Sequence, residues 1–272
     1  MIEINHLSYR YAGAKRKVFD DFSLKLSENR IYGLLGKNGT GKSTLIYLLS
    51  GLLRPKAGQI LVDGLDAKNR QPEILREMFI VPEEYDMPSL PLSDFIAANR
   101  CFYPRFSEEV LRECLRDFEM PEQLNLKELS MGQKKKVYMS FALAAGTRLM
   151  LMDEPTNGLD IPSKSLFRKV IANHMTDDRT LIISTHQVHD VESLLDHILM
   201  LNDSHLLLDA AVADLTEKYS FAYLQPSEMD DRVLYAEPTL QGNAVVRRRG
   251  AEEPETPLNL ELLFNAVTKG II

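Results

Sequence analysis

The chain has 272 residues, 44% hydrophobic and 26% charged, with 32 Lys and Arg against 39 Asp and Glu, for a formal charge of −7. That composition allows a large core and one or two domains, and it excludes the global basic field that holds nucleic acid. The longest apolar runs, such as Ile46 to Leu53, fall far short of the roughly 20 residues of a spanning helix. The first residues, Met1 to His6, show no charged-then-apolar leader pattern, so membrane contact is expected only through a partner.

Ile2 to Ile4 and Leu7 to Tyr11 alternate as two strands do, Ala12 to Lys15 reads as a turn, and Val18 to Leu26 reads as a returning strand. The front of the chain is thus expected to be an antiparallel β layer. Tyr11, at the end of the second strand, is either a base-stacking aromatic or a plain strand residue, and the pattern does not choose between them.

Ile31 to Leu35 is a short apolar strand that runs into Gly36-Lys37-Asn38-Gly39-Thr40-Gly41-Lys42-Ser43, followed by Thr44 and a helical stretch through Leu49. The spacing G-x-x-x-x-G-K-S between a strand and a helix is a phosphate-binding loop. Backbone N–H groups and the helix dipole converge on one point, and the glycines let the backbone approach phosphate oxygens. Lys42 supplies a full positive charge for the β- and γ-phosphates, and the Ser43 hydroxyl is a Mg²⁺ ligand.

Leu53 to Gly58 is a breaker cluster, Gln59 to Gly64 a strand and turn, and Met78 to Val81 a buried strand stopped by Pro82. Glu83 and Glu84 follow. Alone they read as exposed loop acids; beside a phosphate site, one of them can face a metal ion. From Leu92 to about Phe118 the periodicity is helical, with a break at Tyr103-Pro104 and a new N-cap at Ser107. This reads as a helical insert between two strands.

Leu129-Ser130-Met131-Gly132-Gln133 precedes a helix expected over Lys134 to Ala145. Locally it is an ordinary N-cap, and also a second place where an anion can sit. Leu149 to Met152 is an apolar strand ending in Asp153-Glu154-Pro155. After a phosphate loop, such an acid pair orders Mg²⁺ through the first carboxylate and orients a water through the second. Asn157-Gly158-Leu159-Asp160 is a tight loop, Thr180 to Thr185 another buried strand ending at His186, and Ile198 to Leu208 a hairpin. A residue at the carboxyl end of a sheet strand lies where ligands bind.

Beyond about Phe221 the pattern changes to short strands around a Gly/Pro/acid stretch, then an amphipathic helix from Leu258 to Lys269. Lys134 to Lys136 and Arg247 to Arg249 read as solvated faces. Cys101 and Cys114, without a C-x-x-C or Cys/His cluster, read as reduced thiols of a cytosolic protein and not as a zinc site. No internal repeat is visible.

The order of these motifs resembles the ATP-binding subunit of an ABC transporter over about residues 1–220. The resemblance implies an α/β fold: a P-loop NTPase core with a mostly parallel sheet, an N-terminal antiparallel β layer, a helical insert subdomain and a small C-terminal α+β extension. It divides the chain into 1–84 (β layer and P-loop core), 85–145 (helical signature subdomain), 146–220 (remainder of the core) and 221–272 (accessory segment). By resemblance, Tyr11 stacks on adenine and Gly36, Lys37, Asn38, Gly39, Thr40, Gly41, Lys42, Ser43 and Thr44 are the Walker A loop. Asp153 and Glu154 are the Walker B pair, Asp160 belongs to the D-loop, and His186 is the switch histidine. Catalysis falls to Glu154 and His186, and Mg²⁺ to Ser43, Asp153 and Glu83. Ser130, Gly132 and Gln133 act in trans, capping the ATP held by a second subunit paired head to tail.

Two positions depart from the family's pattern. Glu83 stands where the family usually has Gln, which adds negative charge beside the phosphates, and Glu after Val81-Pro82 resembles a variant of one exporter group. Met131 stands where glycine is usual. The resemblance implies an ATPase that powers export through a separate polytopic permease, located on the cytoplasmic side of the cell membrane. Residues about 83–106 are expected to form the docking groove, with Tyr85, Phe95 and Phe102 as anchors. The competing classes are a non-transport ABC ATPase and a regulator that binds ATP without turnover. A single cassette speaks against a translation factor, and about 85 residues between Walker A and the signature leave no room for a chromosome ATPase's coiled coil. Intact Glu154 and His186 speak against the regulator.

Overall fold

The computed structural model describes residues 1–121 and 124–272. The apolar runs become strands because each can bury both faces. In chain order the first elements are β1 (Ile2–Tyr9), β2 (Phe19–Leu26), β3 (Ile31–Leu35), α1 (Lys42–Leu49), β4 (Ala57–Val62), β5 (Leu65–Asp66), α2 (Pro72–Leu75) and β6 (Met78–Val81). The helical insert holds α3 (Leu92–Asn99), α4 (Glu108–Asp117) and α5 (Met131–Ala144). Then come β7 (Leu149–Asp153), α6 (Ile161–His174), β8 (Thr180–Thr185), β9 (His197–Asn202), β10 (His205–Ala211) and α7 (Val212–Lys218). The chain closes with β11 (Tyr219–Leu224), β12 (Val233–Thr239), β13 (Gly242–Arg248) and α8 (Leu260–Thr268).

Among the described residues three sheets form, ordered β2-β1-β4-β5, β10-β9-β3-β8-β7-β6 and β11-β13-β12. In the central sheet β9, β3, β8, β7 and β6 run parallel and only β10 is antiparallel. Successive side chains of a strand point to opposite faces, and β7 shows the result. Leu149 and Leu151 enter one core cluster, with α1 and the N-terminal sheet, while Met150 and Met152 enter the other, with the helical insert, α5 and α8. Parallel strands share one carboxyl edge. The ends of β3, β6, β7 and β8 therefore deliver Gly36, Glu83, Asp153-Glu154 and His186 to the same side of the molecule.

The helical insert folds as its pattern implies. Ser107 caps α4 by accepting from the Val110 amide at 3.2 Å, and α4 buries Leu111, Cys114 and Leu115. Cys101 is exposed.

Several boundaries differ from expectation. The first two strand segments are one strand, β1, bent at His6, which has φ 51° and marks a break in register against both neighbours. Such a bulge interrupts the alternation and reads as two strands. The helix expected from Lys134 begins at Met131, because Ser130 caps it. The accessory sheet begins at Tyr219, two residues before the boundary at 221, since β11 pairs along its length with β13.

Candidate functional site

The loop between β3 and α1 is shaped by its glycines. Gly41 has φ 106° and caps α1 with no side-chain hydrogen bond, so the first amides of the helix stay open. A Cβ at Gly36 would stand 2.6 Å from both the Leu201 carbonyl and Thr40 Oγ1. Thr40 Oγ1 donates to the Lys37 carbonyl at 2.9 Å, and Lys42 Nζ donates to the carbonyls of Gly36 (2.8 Å) and Lys37 (3.3 Å). Lys42 is buried, and its ammonium lies 3.6 Å from Glu154 Oε1. Burial pulls its pKa down, and the carboxylates of Glu154, Asp153 and Glu83 oppose that.

At the end of β7 the two acids diverge. Asp153 is fully buried; its Oδ1 accepts from Ser43 Oγ at 3.0 Å and from Ser184 Oγ, while Oδ2 has no hydrogen-bond partner. Burial raises its pKa, against the pull of the two hydroxyl donors. Glu154 has φ 45°, a left-handed backbone that costs a non-glycine residue about 1–2 kcal/mol. Its carboxylate accepts from Thr185 Oγ1 (3.0 Å) and from the His186 amide (3.4 Å), and Oε1 lies 2.9 Å from His186 Nδ1.

These groups surround a cavity of about 530 Å³ lined by Tyr11, Val18, Asn38, Gly39, Gly41, Lys42, Ser43, Thr44, Glu83, Glu154, Asn157 and His186. Gly36, Lys37 and Thr40 shape the loop from behind, and Asp153 lies beneath Ser43. Tyr11 is exposed, its Oη is 3.0 Å from Thr44 Oγ1, and its ring meets Tyr9 edge-on at 5.1 Å. Glu83 Oε1 accepts from Asn157 Nδ2 at 2.7 Å.

The signature residues stand apart from this cavity. Ser130 is exposed and forms a capping box with Gln133: Ser130 Oγ accepts from the Gln133 amide at 3.3 Å, and Gln133 Oε1 accepts from the Ser130 amide at 3.0 Å. Asp160 likewise caps α6, accepting from the Ser163 amide at 2.9 Å. Its carboxyl is held below the usual range, first by the Ser163 side chain and then by that amide bond.

Two expectations are corrected by burial. Lys135 is not part of a solvated run: it is 5% exposed and donates to the carbonyls of Asn157 (2.8 Å) and Glu154 (3.3 Å). The signal was in the periodicity, since Met139 and Ala142, four and seven residues on, are both buried and share its helix face. Of the three proposed docking anchors, Phe95 belongs to the core, edge-on to Phe141 at 5.1 Å, and Tyr85 stacks on Tyr138 at 4.4 Å. Only Phe102 is free, at 65% exposed. It lines a groove of about 730 Å³ with Leu52, Arg70, Leu75, Tyr103 and Tyr138, so most of that groove lies on residues before 83. Asn157 and Val18 are lining residues that the sequence did not single out as contacts. Asn157 sat inside a recognised motif, whereas Val18 carried no signal.

The model of the ABC transporter family matches residues 19–157. The ABC transporter ATP-binding protein YtrB of Bacillus subtilis is 30% identical over 223 residues, 80% of this chain and 75% of that protein. The SkfA peptide export ATP-binding protein SkfE of the same organism is 29% identical over 80% of this chain and 92% of its own length, and a relative named for import matches too. A solved ATP-binding subunit of an ABC transporter superposes with TM-score 0.70 at 24% identity, covering 79% of this chain and 91% of that one. The motif order, the cavity and these likenesses agree: the chain belongs to the ABC transporter family, as an ATP-binding subunit with a P-loop ATPase fold.

Proposed function

We propose that this chain binds ATP with Mg²⁺ in the cavity at the carboxyl edge of the central sheet, hydrolyses it as a head-to-tail dimer, and thereby powers export through a separate membrane subunit. The observation that carries the reading is the split between the two halves of the site. Lys42, Ser43, Glu154 and His186 line one cavity, while the exposed Ser130 and Gln133 do not line it and bond to each other. A Cβ at Gly132 would meet nothing in its own chain closer than 3.8 Å, so packing within the chain does not require glycine there. A phosphate held by a second copy would.

In this reading the Walker A residues Gly36 to Thr44 hold the phosphates, Lys42 neutralises them and Tyr11 supports the base. Glu154, fixed between Thr185 and His186, polarises the attacking water, and His186 contacts the γ-phosphate. Asp160 belongs to the loop that meets the facing subunit. The donor set fits Mg²⁺. Asp153 Oδ2 is a buried oxygen without a partner, on the carboxylate that holds the Ser43 hydroxyl, and Glu83, which lines the same cavity, would add a third oxygen. Among the described residues no group of three or more His, Cys, Asp and Glu side chains can hold a metal ion by itself. Bound with the triphosphate, the ion would neutralise phosphate charge.

No helix among the described residues is long and apolar enough to cross a membrane; the groove around Phe102 is the proposed seat for the membrane subunit. Export, not import, rests on Glu83 after Val81-Pro82. We place the division of labour at 1–84 and 146–220 for the ATP core, 85–145 for the signature subdomain and 221–272 for the accessory segment. The test is Glu154→Gln on a sizing column. Saturating ATP is expected to convert it to a dimer; a monomer under those conditions sinks the sandwich. Co-purification with a polytopic membrane protein tests the transport half, and a pull-down from membranes without one sinks it.

A further inference from the structure

Lys135 carries a buried ammonium whose two hydrogen-bond partners are both backbone carbonyls. It holds Asn157 O at 2.8 Å and Glu154 O at 3.3 Å. Those two residues close one turn, the Asn157 amide donating to Glu154 O at 3.1 Å. From the other side of that turn, Asn157 Nδ2 donates to Glu83 Oε1 at 2.7 Å. Lys135 and Glu83 are therefore joined through a single residue, and the turn between them carries Glu154 in its left-handed conformation.

A buried ammonium without a carboxylate in contact is costly unless a field of opposite sign surrounds it. Burial lowers the lysine's pKa, and Glu83, Glu154 and Asp153 oppose it, with Glu83 the strongest of the three. The site holds one carboxylate more than a Gln at position 83 would give it. Lys135 supplies one buried positive charge more.

We propose that Lys135 is a positioning residue for hydrolysis: it holds the Glu154–Asn157 turn from beneath and balances the charge of Glu83, the two acting as a matched pair across Asn157. Because α5 begins with the signature, the same tie links the start of that helix to Glu154. The proposal rests on the reading that Glu154 acts on the attacking water.

The test is a double-mutant cycle on the full chain with Lys135→Gln, Glu83→Gln and their combination, and with Lys135→Arg as the charge-conserving variant. Lys135→Gln is expected to lower kcat by about tenfold or more, the scale of a lost hydrogen bond from a charged donor. KM for ATP stays within about twofold, since Lys135 does not line the cavity. Adding Glu83→Gln recovers about threefold or more of that loss, as coupled sites do, and in nucleotide-free protein with EDTA it also restores part of the lost melting temperature. Lys135→Arg keeps more activity than Lys135→Gln. Losses that simply multiply in kcat, and add in melting temperature, overturn the pairing; so does an unchanged kcat in Lys135→Gln. Should Lys135→Gln not fold, a folded double variant supports the pairing and an unfolded one overturns it. Glu154→Gln separates the two ideas. If it still turns over ATP, the hydrolytic reading fails; if it is inactive and the cycle is additive, only the Lys135 pairing fails.

Discussion

The carboxyl edge of the central sheet and the last 54 residues treat charge in opposite ways. At the edge, Lys42, Asp153 and Glu154 are each 5% exposed or less, Asp153 Oδ2 lacks a partner, and Glu154 holds a left-handed backbone. In residues 219–272 charges pair at or near the surface: Arg232 with Asp230 (2.7 Å) and Glu253 (2.8 Å), Arg247 with Glu253 (3.3 Å), Arg249 with Glu255 (3.4 Å), with Arg247 and Arg249 half-buried and not the solvated face expected of the arginine run. The interior of that segment is apolar, with Tyr235, Val246, Leu260, Leu263 and Val267 buried. Buried charge and strain are stable only when the surroundings hold them, and a ligand that completes them recovers the difference. In the proposed reading, a triphosphate and its ion supply that completion at the edge. The last segment shows no such unmet charge among its described buried residues, and its interior is apolar packing.

The comparison breaks most easily at its largest effect. Glu154→Gln is expected to lower ATP turnover by about 10²–10⁴, the usual weight of a general base, while ATP stays bound; single-turnover assays measure it. Leu263→Ala should do the reverse. Leu263 is fully buried in α8, and its truncation costs about 2–5 kcal/mol of stability, read by denaturant melts, with kcat of the folded fraction unchanged. If Glu154→Gln retains turnover within tenfold, or Leu263→Ala abolishes it in folded protein, the two regions do not divide the work in this way.

The edge was legible in the sequence because its chemistry restricts residue types. Gly41 must adopt φ 106°, Lys42 must carry charge, and Asp153-Glu154 must end a buried strand. Lys135 was legible only through the helix period that puts it on one face with Met139 and Ala142; read as a run of three consecutive lysines, it looks uniformly solvated. Tyr85 and Phe95 were misjudged because an aromatic in this insert looks the same whether it packs on a neighbour, as Tyr85 does on Tyr138 and Phe95 on Phe141, or waits for a partner. The accessory sheet was legible only as alternation, and pairing from Tyr219 onward depends on β13, some 30 residues away. Such a boundary is set by long-range contacts that no local pattern encodes.

Tyr11 sharpens the comparison from the solvent side. It lines the cavity yet is 42% exposed, tied to the site by one hydroxyl contact to Thr44. Stacking on a base is worth about 1–3 kcal/mol, so Tyr11→Ala is expected to raise the nucleotide Kd by about 5- to 150-fold, measured with a fluorescent ATP analogue. Tyr11→Phe should leave it within about twofold. An effect of Phe as large as that of Ala would assign the binding to the hydroxyl, and the ring would then be a strand residue.

The smallest expected effect lies where the two regions touch. The turn after His186 packs on α8: Glu192 Oε1 accepts from the Leu260 amide at 2.8 Å, and His189 Nε2 lies 2.6 Å from Glu261 Oε2. The His189 and Glu261 side chains are 66% and 59% exposed, and exposed pairs contribute about 0–1 kcal/mol. The Leu260 amide and the buried apolar face of α8 hold the contact without them. Glu261→Gln should therefore change turnover by about twofold or less and leave the melting temperature nearly unmoved. A tenfold change in turnover would mean that α8 sets the position of His186, and the accessory segment would then belong to the hydrolytic machinery it now only adjoins.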